Sequence, residues 1–383
     1  MDLLVAGENR TSCRDTQSIT KHLNTIFVDA RKVLVEFKGK IDPYLERYFQ
    51  KKIQEAGKID VIAEETLHLI KDYTMAGGKR IRPAFLYFGY LAAGGKDKRK
   101  AMEISIAVEL LHSFLLIHDD IIDRDPSRHG VETIHERFKN IGKKYDLGED
   151  HMHFGNSMAM MAGDMTAAMA CEVIFNSKFP AENIIKALDK LQKIVFVTVP
   201  GEMMDVMMQY AGEATEEAVL KMHECKTARY TFEGPLHLGG ILAGGDVKLL
   251  KHFSDYALPL GKAFQLQDDI LGIFGEEKKI GKPVGSDIIE GKQTVLVIKA
   301  LELGDARQKA IIKKYLKKID LDKEELESFR QVIRETGSLE YSQKLAAEFV
   351  QSALKALGKI KFKDDGSREF LSGIAEYMLD REM

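Results

Sequence analysis

Two short stretches place carboxylates where an apolar helix would bury them. Residues 111–130 read LHSFLLIHDDIIDRDPSRHG, and residues 264–272 read FQLQDDILG. In the first, Asp119 and Asp123 are one helical turn apart and project from one face, with Asp120 beside them. In the second, Asp268 and Asp269 are adjacent, and Gln265 lies one turn earlier. Like charges this close repel, and unpaired carboxylates in apolar surroundings are strongly destabilising. A hard divalent cation resolves the conflict. An oxygen-only site with few protein ligands suits Mg²⁺, which keeps waters and takes phosphate oxygens as its other ligands. A single pair fits a solvated helix end equally well; two on separate helices could face each other across a bundle and build a metal site.

Cations accompany the acids. His112 precedes Asp119 by about two helical turns, on the same face. In GGKRIRP, residues 77–83, two glycines free the backbone and Pro83 suits a helix's first turn. Lys79, Arg80 and Arg82 then fit an anion cradle at a helix N-terminus, although such a run taken alone fits a solvated loop better. Arg128, Lys226 in CKTARY, and Lys282 and Lys292 in GKPVGSDIIEGKQT are further isolated cations near helix ends. Acids suited to Mg²⁺ together with scattered cations describe a site for two diphosphates, and the long apolar helices around them imply a greasy remainder to the ligand.

Other chemistries are disfavoured. Lys plus Arg (56) nearly balance Asp plus Glu (59), so the net charge of −3 advertises no nucleic-acid or anionic-membrane partner. GxxxxGK[ST] is absent, which removes a P-loop. Cys13, Cys171 and Cys225 are odd in number and lack CxxC spacing, which suits a reducing compartment. The methionines of MAMMAGDM and GEMMDVMMQ read as packing and as lining for an apolar tail, and His151 and His153 as loop residues without further zinc ligands. The start has no signal-peptide pattern, and no stretch reaches the roughly 18 uninterrupted apolar residues of a membrane span. A cytoplasmic protein without a transmembrane segment is expected.

The elements that must position these residues are helices. Apolar residues recur with the 3.6-residue period: Phe37, Ile41, Leu45, Tyr48 and Phe49; Ile62, Leu67 and Ile70; Ile104, Val108, Leu111 and Leu115. Strand-like alternation is hard to find. Pro83, Pro126, Pro200, Pro235 and Pro283 fall where helices should begin or break. Residues 94–100 and 141–150 read as surface loops, and 313–329 as a solvated helical hairpin. With 45% apolar residues the chain can bury a large core. The expectation is a loose tail over 1–20 and one all-α domain over 21–383, a multi-helix bundle with a central cavity between the two aspartate-bearing helices.

Taken in order, GGKRIRP, LLHSFLLIHDDIIDRDPSRHG, the GDM at 163–165, CKTA at 225–228, FQLQDDILGIFG and GKPVGSDIIEGKQT resemble the trans-isoprenyl diphosphate synthase (polyprenyl synthetase) family, from about residue 40 to the C-terminus. The resemblance implies an isoprenoid synthase bundle, a homodimer, and Mg²⁺, three ions per site with substrate bound. It implies ionisation of an allylic diphosphate, attack by the double bond of isopentenyl diphosphate, and proton loss. Carried over, Asp119, Asp123, Asp268 and Asp269 hold the metal. Arg128, Lys226, Thr227, Gln265, Lys282 and Lys292 hold the allylic diphosphate, with Lys226 and Gln265 also steadying the cation. Lys79, Arg82, His112 and His129 bind isopentenyl diphosphate.

The chain departs from the family twice. His129 stands where an arginine is usual, which implies weaker and more pH-dependent acceptor binding. Gly272 stands where many members carry a third aspartate of the second motif, which implies metal binding with fewer protein ligands. Phe114 and Leu115, five and four residues before Asp119, match the family's cavity-floor positions and imply a product near C20, geranylgeranyl diphosphate; farnesyl diphosphate or a longer polyprenyl diphosphate is the alternative. A terpene cyclase on this fold would not need Lys79, Arg82 and His112. A non-catalytic prenyl-diphosphate-binding or regulatory subunit would be expected to have lost an aspartate motif, and Gly272 keeps that reading open.

Overall fold

A computed structural model of the protein describes residues 29–275 and 285–378. The expected tail over 1–20, Cys13, Lys282 and Pro283 lie outside the described residues. What is described is almost entirely helical. Helix α1 (Ala30–Ala56) starts at Asp29, whose carboxylate accepts from the Arg31 and Lys32 amides, and buries Phe37, Ile41, Leu45, Phe49 and Ile53 at four-residue spacing. Tyr48 is half-buried, its hydroxyl donating to Glu172 at 2.8 Å. Helix α2 (Val61–Met75) buries Leu67 and Ile70 as expected, but Ile62 is 57% exposed because it sits in the first turn, beyond the edge of the bundle. Helix α3 spans Ile81–Ala92 and α4 spans Lys98–Asp123. The supposed loop over 94–100 ends at Asp97, which caps α4 by accepting from the Lys100 amide at 3.0 Å.

After α4 the chain makes a hairpin that strand periodicity is too short to reveal. Strands β1 (Ser127–Arg128) and β2 (Val131–Glu132) pair antiparallel. Their two-residue turn is His129–Gly130, with φ of 52° and 80°. Positive φ at both positions is the hallmark of a type I′ hairpin turn. Helix α5 (Ile134–Lys144) takes up the first residues of the supposed loop over 141–150. Helix α6 (His151–Phe175) contains His151 and His153 in its first turn, capped by Asp150, so they are helical rather than loop residues.

Helix α7 (Ala181–Ala211) runs straight through Pro200 instead of breaking there. Helix α8 (Glu216–His223) passes into a π-helix, Glu224–Glu233, and then into α9 (Gly234–Leu242), with Pro235 in its first turn. Helix α10 (Val247–Phe274) carries the second aspartate pair. There follow α11 (Ser286–Glu290), α12 (Val295–Leu303), α13 (Ala306–Tyr315), α14 (Lys323–Glu335), α15 (Ser338–Leu357) and α16 (Asp365–Tyr377). The helical hairpin expected over 313–329 exists as α13 and α14. Its inner side is not solvated, because Ile312, Tyr315, Phe329 and Val332 close a second apolar core against Ile270 and Ile273 of α10.

The packing leaves a gap where it matters. Helix α4 packs on α3 and α6, whereas α10 packs on the π-helix and α15. The space between α4 and α10 is walled by α7. Helices α4 and α6 have the length and hydropathy of a membrane span, but α4 is mostly buried within the bundle. On α6 and α7, Met160, Met161, Phe196, Met203, Met207 and Tyr210 form an exposed apolar face.

Helix α7 meets the π-helix at Gly201, where a Cβ would stand only 2.8 Å from Lys226 Cα and the Cys225 carbonyl carbon. Backbone cannot yield as a flexible side chain does. Gly201→Ala is therefore expected to destabilise the protein by about 1–3 kcal/mol, read as a lowered urea midpoint at unchanged slope.

Candidate active site

A cavity of about 1120 Å³ lies between α4 and α10. Its wall includes Lys79, Arg82, His112, Phe114, Leu115, Asp119, Asp123, Arg128 and His129 on one side. Lys226, Thr227, Gln265, Asp268, Asp269 and Lys292 complete it. Every described residue singled out for a ligand or metal from the sequence is there, except Arg80.

Arg80 shows why three consecutive cations cannot share one role. It sits at the start of α3 with φ of 54°, and its guanidinium is buried between Asp42 (2.8 Å) and Glu109 (2.5 Å). That pairing satisfies a buried charge and holds the turn. Lys79 and Arg82 are left facing the cavity. Arg82 donates to Tyr230 Oη (2.5 Å) and Thr231 Oγ1 (2.9 Å) of the π-helix and stacks on the Tyr230 ring. Lys79 donates to Tyr377 Oη at 2.8 Å, at the end of α16, and Arg31 lies over the other part of that ring at 5.0 Å.

Asp119, Asp268 and Asp269 line the cavity, although Asp269 is nearly buried, whereas Asp120 is fully buried behind the wall. Asp120 accepts from Tyr73 Oη (2.5 Å) and from Arg128 Nε (2.6 Å). Burial raises its carboxyl to about 6 even with Arg128 pulling the other way. Asp269 accepts from Gln265 Nε2 at 3.0 Å and lies 3.3 Å from His223 Nε2. Gln265 in turn accepts from Thr227 Oγ1 at 2.8 Å, so the residues expected to touch ligand also set one another's orientation.

Lysines bridge the acids. Lys226 Nζ lies 2.8 Å from both Glu202 and Asp205 of α7 and 3.6 Å from Asp119. Burial pulls its ammonium down, but Asp119, Asp205 and Glu202 more than offset this and leave it well above the usual lysine range. Burial drives the Glu202 carboxyl up to about 7 despite Lys226. Lys292 lies 3.6 Å from Asp123, 3.5 Å from Asp287 and 2.8 Å from Glu290. Arg128 reaches Asp119 (3.5 Å) and Asp125 (3.0 Å) as well as Asp120.

The histidines are held neutral. Burial, reinforced by Arg82 and Arg128, lowers His112 well below 6.5, and its Nδ1 has no hydrogen-bond partner. Burial, then Arg128, Arg80 and Lys38, lowers His129 as well. The partly charged imidazole expected at 129 is therefore mostly uncharged near neutral pH.

Two features of the site suit Mg²⁺. Asp123 is almost fully buried, and its Oδ2 accepts no hydrogen bond; the same holds for buried Glu202 Oε1. Among the described residues no three His, Cys, Asp or Glu side chains converge to hold a metal alone. Both facts fit an ion that takes one or two carboxylates and completes its shell with phosphate oxygens and water.

Spacing arguments missed several residues that line the cavity. Tyr230 lies in the π-helix, where the 3.6-residue template misplaces faces, and His223 just before it; Glu202 and Asp205 lie on α7, where GEMMD carried a signal in its i, i+3 acids. Arg31 and Tyr377 come from opposite ends of the described chain and left none.

Residues 64–334 match the family model described as polyprenyl synthetase. The chain is 33% identical over 349 residues to a geranylgeranyl diphosphate synthase of Sulfolobus acidocaldarius, covering 88% of this chain and 99% of that one. It is 34% identical to a geranylgeranyl diphosphate synthase of Saccharolobus solfataricus, over 84% of this chain and 90% of the other. The crystal structure of geranylgeranyl pyrophosphate synthase from Corynebacterium glutamicum, complexed with isoprenyl diphosphate and magnesium, superposes with a TM-score of 0.85 at 29% identity, over 91% and 99% of the two chains.

Proposed function

Because the chain belongs to the polyprenyl synthetase family and is a short-chain prenyltransferase, we propose that it joins isopentenyl diphosphate to an allylic diphosphate and releases geranylgeranyl diphosphate. The observation that carries this reading is the sorting of charge around one cavity. Asp119 and Asp123, each beside a lysine, and Asp268 stand in one part of the wall, while Lys79, Arg82, His112 and His129 stand without a metal-binding acid among them.

In this reading Asp119, Asp123 and Asp268 hold Mg²⁺, three ions with substrate bound, against the allylic diphosphate. Asp269, which lines the cavity and whose Oδ2 accepts no hydrogen bond, would share in holding the metal while its Oδ1 orients Gln265. The bound metal supplies positive charge where the departing diphosphate gains negative charge. Lys226, Lys292 and Arg128, each paired with carboxylates at the cavity wall, would also face the phosphate oxygens and stabilise the charge that develops on the leaving group. Lys282 joins them. Gln265, held by Thr227 and Asp269, lies against the emerging allylic cation. Lys79, Arg82 and His112 fix the acceptor so that its double bond approaches that carbon.

The proposal includes a cytoplasmic homodimer. The apolar face of α6 and α7 supports it: Met160, Met161, Phe196, Met203, Met207 and Tyr210 are exposed, and an isolated soluble chain rarely leaves so long a stripe uncovered. Met203 and Met207 also line the cavity, so a second copy would close its side.

The decisive assay is purified protein with Mg²⁺, labelled isopentenyl diphosphate and dimethylallyl, geranyl or farnesyl diphosphate in turn. Incorporation ending at C20 is expected; a product stopping at C15 would replace the product assignment, and no incorporation with any primer would remove the whole reading. Phe114 is buried, packs edge-on to His118 at 5.0 Å and lies in the cavity wall. Phe114→Ala should shift the product distribution beyond C20 by chromatography, and an unchanged distribution would exclude Phe114 from the floor. Since burial, then Arg128, lowers His129 below its ordinary value, it carries little charge at neutral pH. His129→Arg should therefore lower the KM for isopentenyl diphosphate at pH 7–8, and the advantage should shrink only at pH values below the ordinary histidine range, where the imidazole gains its own proton.

A further inference from the structure

Helix α1 carries none of the motifs that mark the family and lies before the residues that match its model, yet one of its faces is turned to the GGKRIRP loop. Arg31 and Lys38 are about two helical turns apart and Asp42 follows one turn later, which puts all three on that face. Asp42 accepts from Arg80 Nε at 2.8 Å, and Lys38 Nζ donates to the Gly78 carbonyl at 3.0 Å. These two contacts grip the loop on either side of Lys79. Arg31 is the member of the face that reaches the cavity, whose wall it shares with Lys79, Arg82 and His129. The Asp29 cap, accepting from the Arg31 amide, fixes the turn from which the side chain departs.

The far end of the chain meets it there. Tyr377 Oη accepts from Lys79 at 2.8 Å. The Arg31 guanidinium lies 5.0 Å from the centre of the same ring and the Lys79 ammonium 5.4 Å. Two permanent cations gathered on one phenol ring suit an anion that takes both. They stand in the part of the cavity where residue 129, held mostly neutral, contributes little charge.

We propose that Arg31 binds the diphosphate of isopentenyl diphosphate beside Lys79, so that α1 supplies the positive charge that residue 129 lacks. The inference rests on the prenyl-transfer reading above. It also gives the face of α1 a single purpose: Lys38 and Asp42 set the loop, and Arg31 completes the site that the loop begins.

The test is steady-state kinetics near neutral pH, with farnesyl diphosphate saturating and isopentenyl diphosphate varied, then the reverse. Arg31→Gln, which keeps much of the stem, and Arg31→Ala should each raise the KM for isopentenyl diphosphate about tenfold. The KM for farnesyl diphosphate and the thermal midpoint should stay where they are. Arg31→Lys should recover part of the loss. His129→Arg added to Arg31→Ala should recover most of it, and should gain more there than in the wild-type background, because one guanidinium then stands in for the other. A residue that merely packed on Tyr377 would not respond to a charge at 129. A wild-type KM for isopentenyl diphosphate in both neutral variants would overturn the inference, as would equal rises for the two substrates or a double variant no better than Arg31→Ala. If the wild type incorporates no isopentenyl diphosphate with any primer, the prenyl-transfer reading itself falls, and this inference with it.

Discussion

The structure is organised around the difficulty of keeping many carboxylates inside an apolar bundle. Asp119, Asp120, Asp123, Glu202, Asp205, Asp269 and Asp287 all lie within one region between α4, α7 and α10. Uncompensated, that charge would drive the helices apart or force the groups to take up protons. Asp269 takes the amide of Gln265 on its own helix, but others are matched to a cation or hydroxyl from a different element: Asp120 to Arg128 of the hairpin and Tyr73 of α2, Asp119 and Asp205 to Lys226 of the π-helix, Asp123 to Lys292. Each pair between elements is also a constraint on how two elements meet. Glu202, with its carboxyl near 7, marks the limit of what the available cations can compensate.

This arrangement suits a charged ligand. A site that satisfied all its charges internally would gain nothing by admitting a metal and a diphosphate, because breaking good pairs would oppose binding. Here the lysines are shared: Lys226 serves three acids and Lys292 three. Shared partners are incompletely satisfied, so a metal–diphosphate pair could be admitted without leaving any charge alone.

Much of this was legible in the sequence, for a definite reason. The aspartates and their flanking apolar runs obey a local rule, the turn-to-turn spacing of an α-helix, so their common face follows from residue numbers alone. Lys79, Arg82, Arg128, Lys226 and Lys292 were legible as types, though not as partners. What was hidden depends on contacts across the chain or on departures from the standard helix. His129–Gly130 needed a turn with two positive φ values to become a hairpin. Residues 224–233 needed a π-helix to aim Lys226, Thr227 and Tyr230 together into one cavity. Arg80 resembled its neighbours until Asp42 and Glu109 removed it from the surface.

Gly77 and His129 belong to separate motifs more than fifty residues apart, yet the ring of one rests on the backbone of the other: a Cβ at 77 would stand 2.7 Å from His129 Cβ and 2.8 Å from Cδ2. Neither position is then free to drift alone over evolutionary time. A lineage that enlarges residue 77 must first relocate the side chain at 129, and one that places a longer, permanently charged group at 129 must keep 77 bare. The two sites should covary, as a heritable memory of a contact that composition and spacing do not record.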